Sequence, residues 1–426
     1  METDKTPPPA LSYQYLPPLY HRWKWRVLLS FDGCYLFLYL GRFNFCPAAR
    51  LVKDELDLSH LEVALITAML LWGFGLGDLV HGRLSEAYGL RLWVMLGAIL
   101  TTIFNWVTSF GTSALTLAIR WGINGFVNAA SWSPGISLIS QWWPRRDRGK
   151  ALGITMMAAG GAMLMMWLVT GWVAAEFGWR AAFRYPPLII AALGVIFYLV
   201  TRDRPSEVGL PEYIEEDEVS ASAESVDKER LRGLGPYKRL LSNPQFQLAC
   251  HVKGLENVAR YGLTTWVPLY YSQKAGLDIT STVLVTMALP IGYLLAPVVA
   301  GVISDNLMNS ARRPMIMVSC GISALALVAL ALVPATNLYL GAPLLLVGGF
   351  ALSLTPMAAL AVDIAGRHMA GTSSGLLDAH GYLYAGLQAI IFGVVLDMSG
   401  SPWPAVFVGM AATRVLSAVM ISFVKV

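Results

Sequence analysis

Long apolar runs constrain the fold of this 426-residue chain more than any other feature. A helix that crosses a membrane needs about 20 mostly apolar residues, because the bilayer core holds no water to hydrogen-bond an exposed backbone. Only 14% of the residues are charged, against about 25% in soluble proteins. The sequence therefore predicts an all-α membrane protein with twelve transmembrane helices, at 26–48, 60–81, 90–110, 113–138, 150–174, 183–201, 246–272, 281–304, 314–334, 338–362, 371–396 and 402–424.

One long polar stretch, 202–243, separates the sixth apolar segment from the seventh. It divides the chain into two halves of six predicted helices each. We expect a cytoplasmic N-terminal tail at 1–25, an N-terminal bundle at 26–201, a cytoplasmic linker at 202–243 and a C-terminal bundle at 244–426. The linker serves to join the bundles, or it has a regulatory role as well.

Lysine and arginine residues set the predicted orientation, because short loops rich in them stay in the cytoplasm. They lie before the first segment and in the even-numbered loops, while the opposite side is sparser. Both termini are therefore expected in the cytoplasm, in the cell membrane or an inner membrane. The basic residues that carry this prediction are Arg22, Lys24, Arg26, Arg83, Arg91, Arg145, Arg146, Arg148, Lys150, Arg312, Arg313 and Arg367.

Two arginines, Arg42 and Arg260, lie inside apolar segments at corresponding positions of the two halves. Gly82 follows Arg42 by 40 residues, and Gly301 follows Arg260 by 41. An arginine within a membrane costs several kcal/mol, on the order of 3 or more, unless a partner compensates it. Its planar guanidinium matches a phosphate or carboxylate group with two parallel hydrogen bonds. The pair therefore predicts a site for a small anionic substrate between the two repeats.

A permanent ion pair is the alternative explanation for each arginine. Glu256 lies one helical turn before Arg260 and could neutralise it. Arg42 has no acidic residue three or four positions away in either direction. The prediction of an anion-binding role is therefore stronger for Arg42 than for Arg260.

The loop after the second segment resembles a known signature. Gly82-Arg-Leu-Ser-Glu86-Ala-Tyr-Gly-Leu-Arg91 is similar to the Gly-x-x-x-Asp-Arg-x-Gly-Arg-Arg pattern of the major facilitator superfamily, and Gly301-Val-Ile-Ser-Asp305 repeats it in the second half. The resemblance implies two six-helix bundles and rocker-switch alternating access. It also implies that a set of loop residues gates the cytoplasmic side, unless the set is only a static loop contact: Gly82, Glu86, Arg91, Arg148, Gly301 and Asp305.

Three further stretches resemble one group within that superfamily, the organophosphate:phosphate antiporters of glycerol-3-phosphate and hexose-6-phosphate. They are Tyr39-Leu-Gly-Arg42-Phe-Asn44-Phe45, Trp132-Ser-Pro-Gly135 with Gln141–Gly149, and Arg260-Tyr-Gly-Leu-Thr-Thr-Trp266-Val-Pro-Leu-Tyr270. The resemblance implies secondary transport of an organic anion, a phosphorylated metabolite or a carboxylate, in exchange for inorganic phosphate.

Other positions depart from this group. Asp78 stands where the glycerol-phosphate transporter has a lysine, Met157 replaces its histidine, and Leu289 falls near its helix-eight acid. These departures favour, as the alternative, a proton-coupled symporter of an organic acid. Four residues could carry the proton: Asp78, Glu256, Asp378 and His380. Asp78 could also be an acid that reaches water near the membrane interface.

Tyrosine, tryptophan and amide side chains near the two arginines complete the predicted substrate site. The set is Tyr39, Arg42, Asn44, Asn128, Trp132, Arg260, Tyr261, Trp266, Tyr382 and Gln388. Each aromatic residue could equally be a packing residue, and each amide could bond to a neighbouring helix.

The sequence contains no Walker motif, no metal-ligand cluster and no Ser/His/Asp arrangement. We therefore expect no enzymatic activity, no cofactor and no metal, and the modest net charge of +4 gives no indication of nucleic-acid binding. The expected partners are the substrate, the lipid bilayer, and protons or inorganic phosphate as coupling species, with the chain acting as a monomer. A transporter-like membrane sensor and a lipid flippase are further alternatives.

Overall fold

The computed structural model describes residues 17–143, 145–211, 235–296, 312–354, 357–365, 370–398 and 402–424. Within these ranges the secondary structure is helical. Two short 3₁₀ helices occur at Tyr39–Gly41 and Pro205–Val208. The α-helices are α1 (Pro18–Leu38), α2 (Phe45–Glu55), α3 (His60–Tyr88), α4 (Leu90–Thr108), α5 (Ala114–Asn128), α6 (Trp132–Trp142), α7 (Arg145–Phe177), α8 (Trp179–Arg184), α9 (Pro186–Val200), α10 (Gly235–Leu241), α11 (Pro244–Lys274), α12 (Ile279–Thr286), α13 (288–296), α14 (Arg312–Leu332), α15 (Leu338–Ser353), α16 (Met357–Ala365), α17 (Ala370–Asp397) and α18 (Trp403–Ser422).

Eight spans within the described residues are long and apolar enough to cross a membrane. They fall in the second, third, fifth, sixth, eighth, ninth, eleventh and twelfth predicted segments. The prediction of an all-α membrane protein is confirmed, and the count of twelve stays a prediction. The predicted domain boundaries also stay predictions, since most of the linker lies outside the described residues.

The other four predicted segments are the first, fourth, seventh and tenth. The first is broken between α1 and α2, the fourth between α5 and α6, and the tenth between α15 and α16. The seventh, α11, is continuous but carries charged side chains, and most of its residues are buried. These four segments are therefore interrupted or polar, unlike the eight continuous apolar spans.

The direction of each helix follows from contacts at its ends. Asp397, the last residue of α17, accepts hydrogen bonds from the backbone amides of His60 (2.9 Å) and Leu61 (2.8 Å) at the start of α3. Arg50 donates to the Ser272 carbonyl near the end of α11. We call this side of the molecule the His60 end and the opposite side the Tyr88 end. Both described termini and the start of the linker lie at the Tyr88 end.

Small residues let the two halves approach closely. A side chain at Gly75 of α3 would come within 2.9 Å of the Tyr382 Cβ in α17, and one at Gly160 of α7 would come within 2.9 Å of the Leu294 Cα in α13. The Trp167 indole of α7 also donates to the Thr286 hydroxyl of α12 at 2.8 Å. Helices α3 and α7 of the first half thus pack on α12, α13 and α17 of the second.

Glycines also set the distance between α3 and α5 inside the first half. A Cβ at Gly125 would overlap the backbone carbonyl of Leu70, whereas a Cβ at Gly153 of α7 would meet no atom within 4 Å. We expect Gly125→Ala to destabilise the protein by about 1–3 kcal/mol, because backbone cannot move aside as a flexible side chain can. Gly153→Ala is the matched control and should leave stability unchanged or raise it slightly, since alanine favours helix. Melting temperatures in detergent test this, and equal values for the two variants would contradict it.

Candidate functional site

A helix break places Arg42 between the two halves of the protein. The 3₁₀ turn Tyr39–Gly41 ends α1, and α2 begins only at Phe45. Gly41 has no room for a side chain, because a Cβ there would come within 2.9 Å of Ile190 and 3.0 Å of Asn105. The tight packing of the break against the first half directs the Arg42 side chain to α17 of the second half.

Buried asparagine side chains bond the backbone carbonyl that the helix break leaves without a helical partner. Asn105 and Asn124 donate hydrogen bonds of 2.9 and 2.7 Å to the Gly41 carbonyl, which has lost its helical partner. Asn44 in turn donates to Asn105 at 3.0 Å. A buried carbonyl without a partner would be costly, so this network stabilises the geometry that Arg42 requires. The sequence analysis did not identify Asn105 or Asn124, although their amides inside apolar segments were a visible signal.

Arg42 is a buried cation surrounded by aromatic rings. Only 4% of it is exposed, and its Nη2 donates to the Tyr382 hydroxyl at 2.6 Å. The guanidinium carbon lies 3.4 Å from the Phe74 ring centre, within the range of a cation–π interaction. No acidic side chain of the described residues lies within 4.0 Å of it, and its Nε has no hydrogen-bond partner there. The charge is therefore available to an anion.

Tyrosines from both halves extend this environment. Tyr261 of α11 donates to the Tyr382 hydroxyl at 3.2 Å, and its ring stacks on Phe43 with centres 6.0 Å apart. The Tyr39 ring centre lies 5.6 Å from the Arg42 guanidinium carbon. The Tyr382 hydroxyl, which accepts from both Arg42 and Tyr261, still has its own proton to donate to a bound anion.

Arg260 approaches the same space from α11. Its guanidinium carbon lies 4.8 Å from the ring centre of Tyr293, and its backbone carbonyl accepts hydrogen bonds from Tyr293 (3.2 Å) and Thr264 (2.9 Å). Glu256 does not form the ion pair considered from the sequence. It lies instead 3.8 Å from the Nζ of Lys253, a residue that the sequence analysis missed.

A layer of carboxylates lies one helical turn closer to the Tyr88 end. Asp78 follows Phe74 by four residues, Glu256 precedes Arg260 by four, and Asp378 precedes Tyr382 by four. Because α3 runs toward the Tyr88 end and α11 and α17 run away from it, each carboxylate lies about 6 Å below the arginine layer. We call Asp78, Glu256 and Asp378 the carboxylate layer.

The members of this layer differ in their surroundings. Asp78 is 5% exposed and accepts a hydrogen bond of 3.1 Å from the Ser133 hydroxyl. Asp378 is partly exposed, and its charge interacts with that of Asp78 across the two halves. His380 contacts the Leu376 carbonyl of its own helix through Nδ1 at 2.9 Å.

Several residues of the predicted substrate site lie apart from the arginines. Asn128 donates to Thr101 at 3.3 Å within the first half, as Asn44 does to Asn105. Trp266 is fully buried beside Trp403. Gln388 is buried, and neither of its amide atoms has a partner among the described residues. Trp132 packs on Tyr35, with ring centres 5.0 Å apart.

The predicted gating residues are only partly described. Arg91 bonds to the Thr201 carbonyl of the first half at 3.0 Å and lies 3.7 Å from Glu207 at the start of the predicted linker. Gly82 lies beside Ser133. Glu86 and Arg148 lie on α3 and α7, but their side chains are outside the described part of the structure. Gly301 and Asp305 lie outside the described residues altogether, so the gating role stays a prediction.

The charged groups at the His60 end connect the halves by ordinary surface contacts. Asp397 accepts from two backbone amides and from His60 Nδ1 at 2.8 Å. Together with the bond from Arg50 to the Ser272 carbonyl, these contacts join the two halves at the His60 end.

Comparison with known proteins supports the resemblance seen in the sequence. The family model described as Major Facilitator Superfamily matches residues 32–389. A membrane sensor protein, UhpC of Salmonella typhimurium, is 26% identical over 412 residues, covering 94% of this chain and 91% of the relative. The glycerol-3-phosphate transporter of Bacillus subtilis is 25% identical over 419 residues, covering 95% and 92%.

Solved structures show the same fold at lower identity. A bacterial homologue of the human lysosomal transporter Spinster, in an inward-facing and unoccupied conformation, superposes with a TM-score of 0.73. The two sequences are 14% identical, and the match covers 94% of this chain and 95% of the other. The predicted fold class and the resemblance to organophosphate transporters are confirmed.

The asparagine network generates a testable prediction. Asn105→Ala removes one donor to Gly41 and the partner of Asn44, so it should destabilise the protein by about 1–3 kcal/mol. Ser30→Ala is a control, because the Ser30 hydroxyl bonds only to backbone carbonyls of its own helix. Thermal unfolding in detergent should show a lower melting temperature for Asn105→Ala alone. Two unchanged melting temperatures would show that the network does not support the break.

Proposed function

The chain belongs to the Major Facilitator Superfamily and is a multi-pass membrane transport protein rather than an enzyme, and we propose that it carries a small organic anion between its two halves. The observation that carries this proposal is Arg42. It is buried, it points to the second half, and no described acid neutralises it. Arg260 supplies a second cation from that second half.

Electrostatics connects anion binding to the transport cycle. The guanidinium groups of Arg42 and Arg260 lie on opposite halves and repel each other, more strongly in a low-dielectric interior than in water. Glu256 offsets only part of the Arg260 charge. An anion between them removes the repulsion and adds charge-assisted hydrogen bonds to both halves. Binding therefore favours closure around the substrate, and the rocker-switch motion exposes it on the other side.

The substrate class proposed is a phosphorylated metabolite, with a carboxylate as the alternative. Relatives are named for hexose phosphate and glycerol-3-phosphate transport, and this chain shares the two arginines of the resemblance. Exchange for inorganic phosphate fits a site that cannot close easily when empty. Proton symport is the alternative coupling, with Asp78, Glu256, Asp378 and His380 as the candidate proton carriers.

We propose that the Tyr88 end faces the cytoplasm. Lys24 and Arg91 lie at this end, as do the described termini and the start of the linker, and basic residues favour the cytoplasmic side. Because the Asp397–His60 and Arg50–Ser272 contacts join the halves at the His60 end, the site would then be approached from the cytoplasm. The bundles would comprise 26–201 and 244–426, joined by 202–243.

Flux measurements in proteoliposomes test the function and its coupling. Vesicles are preloaded with inorganic phosphate or left empty, with or without an inward proton gradient, and offered glycerol-3-phosphate, hexose-6-phosphate, and small mono- and dicarboxylates. Uptake that requires internal phosphate supports antiport, and carboxylate uptake driven by protons supports the symport alternative. No flux of any of these anions would contradict the proposed function.

A membrane sensor is the second candidate, because the relative UhpC is named as one. A sensor would bind a phosphorylated ligand through the same arginines but would show little flux. Binding measured by thermal shift without uptake into vesicles would favour this candidate.

Lysine substitutions test the role of the arginines. Arg42→Lys and Arg260→Lys keep the charge but lose the planar fork of donors, so transport should fall at least about tenfold while expression and folding stay intact. Arg120→Lys is the control, because Arg120 is exposed and bonds to the Val107 carbonyl. Retained transport in Arg260→Lys would instead indicate a structural role for that residue.

A further inference from the structure

The charges of the site are arranged as two layers of opposite sign. The arginine layer contains Arg42 and Arg260. The carboxylate layer, about one helical turn or 6 Å closer to the Tyr88 end, contains Asp78, Glu256 and Asp378. A site for a simple anion would need only the first layer.

Only one of the three carboxylates has a basic side chain within 4.0 Å among the described residues. Lys253 lies 3.8 Å from Glu256, and the side chains of both are largely buried, so this pair is close to neutral. Asp78 and Asp378 have no basic side chain within 4.0 Å among the described residues. The hydrogen-bond partner of Asp78 is the neutral hydroxyl of Ser133. Two carboxylates from opposite halves thus face the same interior, and their charges repel each other.

The arrangement repeats, with inverted sign, the one that defines the anion site. In each layer, one charged residue comes from the first half and one from the second, and neither has a described side chain of opposite charge within 4.0 Å. More distant basic groups offset part of the carboxylate charge: Arg42 acts on Asp78 and Asp378, and Lys253 and Arg260 act on Asp378. A cation between Asp78 and Asp378 would remove their repulsion, just as an anion does for Arg42 and Arg260. A dianion bound at the arginines would meet the two carboxylates as like charges.

We propose that the substrate is a small zwitterion, with its anionic group on Arg42 and Arg260 and an ammonium group on Asp78 and Asp378. This inference rests on the proposed function and specifies its substrate class. The two groups of the substrate should lie about 5–6 Å apart, which is the rise of one helical turn. A phosphate ester joined to an ammonium by a two-carbon chain, or a carboxylate joined to one by a three-carbon chain, has about this length.

Matched ligand pairs isolate the contribution of the ammonium group. Phosphoethanolamine and propyl phosphate have the same anionic group and chain length, but a methyl group replaces the ammonium in the second. γ-Aminobutyrate and pentanoate form the equivalent carboxylate pair. Affinities are measured on the purified full-length protein by ligand-induced thermal shift and by competition for uptake into proteoliposomes.

The wild-type protein should bind the zwitterion of at least one pair about tenfold more tightly than its anionic analogue, as expected for a charge-assisted contact. Asp78→Asn and Asp378→Asn should each remove most of this preference and leave the affinity for the anionic analogue unchanged or higher. Asp57→Asn, which lies outside the site on a loop, is the control and should keep the preference. Melting temperatures of the unliganded variants verify that each is folded.

Three results would overturn the inference. The first is an anionic analogue that binds as tightly as its zwitterion in both pairs. The second is a loss of affinity for both members of a pair in Asp78→Asn and Asp378→Asn. The third is a defect that appears only when a proton gradient drives uptake, which would make the carboxylates proton carriers. If any of these results is found but anions still bind in a way that depends on Arg42, the proposed anion transport stands and only the zwitterion inference fails. If no anion binding depends on Arg42, both the proposed function and the zwitterion inference are contradicted.

Discussion

The buried guanidinium of Arg42 is the interaction on which the rest of the site depends. A cation in the membrane interior is unfavourable by several kcal/mol, on the order of 3 or more, unless the protein or a ligand compensates it. Here the compensation is partial: one hydroxyl of Tyr382 at 2.6 Å and the face of Phe74. Both partners are neutral, so the charge persists in the interior. A protein that only needed stability would gain from a neutral residue at this position, which is why the arginine indicates function.

The two halves support their arginines differently. Arg42 follows a helix break whose free carbonyl is bonded by Asn105 and Asn124, and its side chain crosses to the second half. Arg260 lies within the continuous helix α11, where Tyr293 packs against it. Arg42 therefore joins the halves even without substrate, whereas the described contacts hold Arg260 within its own half. The two halves therefore place an arginine at corresponding sequence positions, but the contacts that fix the two arginine side chains differ.

Much of the fold could be predicted from the sequence because membrane burial leaves a simple signal. Apolar runs of helical length are local patterns, and they were correctly located on helices. Of the two arginines in register, Arg260 lies on α11, whereas Arg42 lies in the turn that breaks the first predicted segment. The contacts made by side chains across long distances were not predictable. Glu256 was expected beside Arg260 from its one-turn spacing, but the closer cation is Lys253. Asn44 adjoins Arg42 in sequence, yet its amide is turned into the first half toward Asn105. Which of these side chains contact each other depends on how the helices pack, and no short sequence motif indicates that packing.

The central claim is that one anion is held by arginines from both halves, and a double-mutant cycle on binding tests it most directly. The affinity for the transported anion, or for glycerol-3-phosphate as a probe, would be measured by thermal shift in the wild type, Arg42→Gln, Arg260→Gln and the double variant. If one anion bridges both residues, their effects are strongly non-additive, and the double variant binds little more weakly than either single variant. Independent, additive losses, or full affinity in either single variant, would contradict the account.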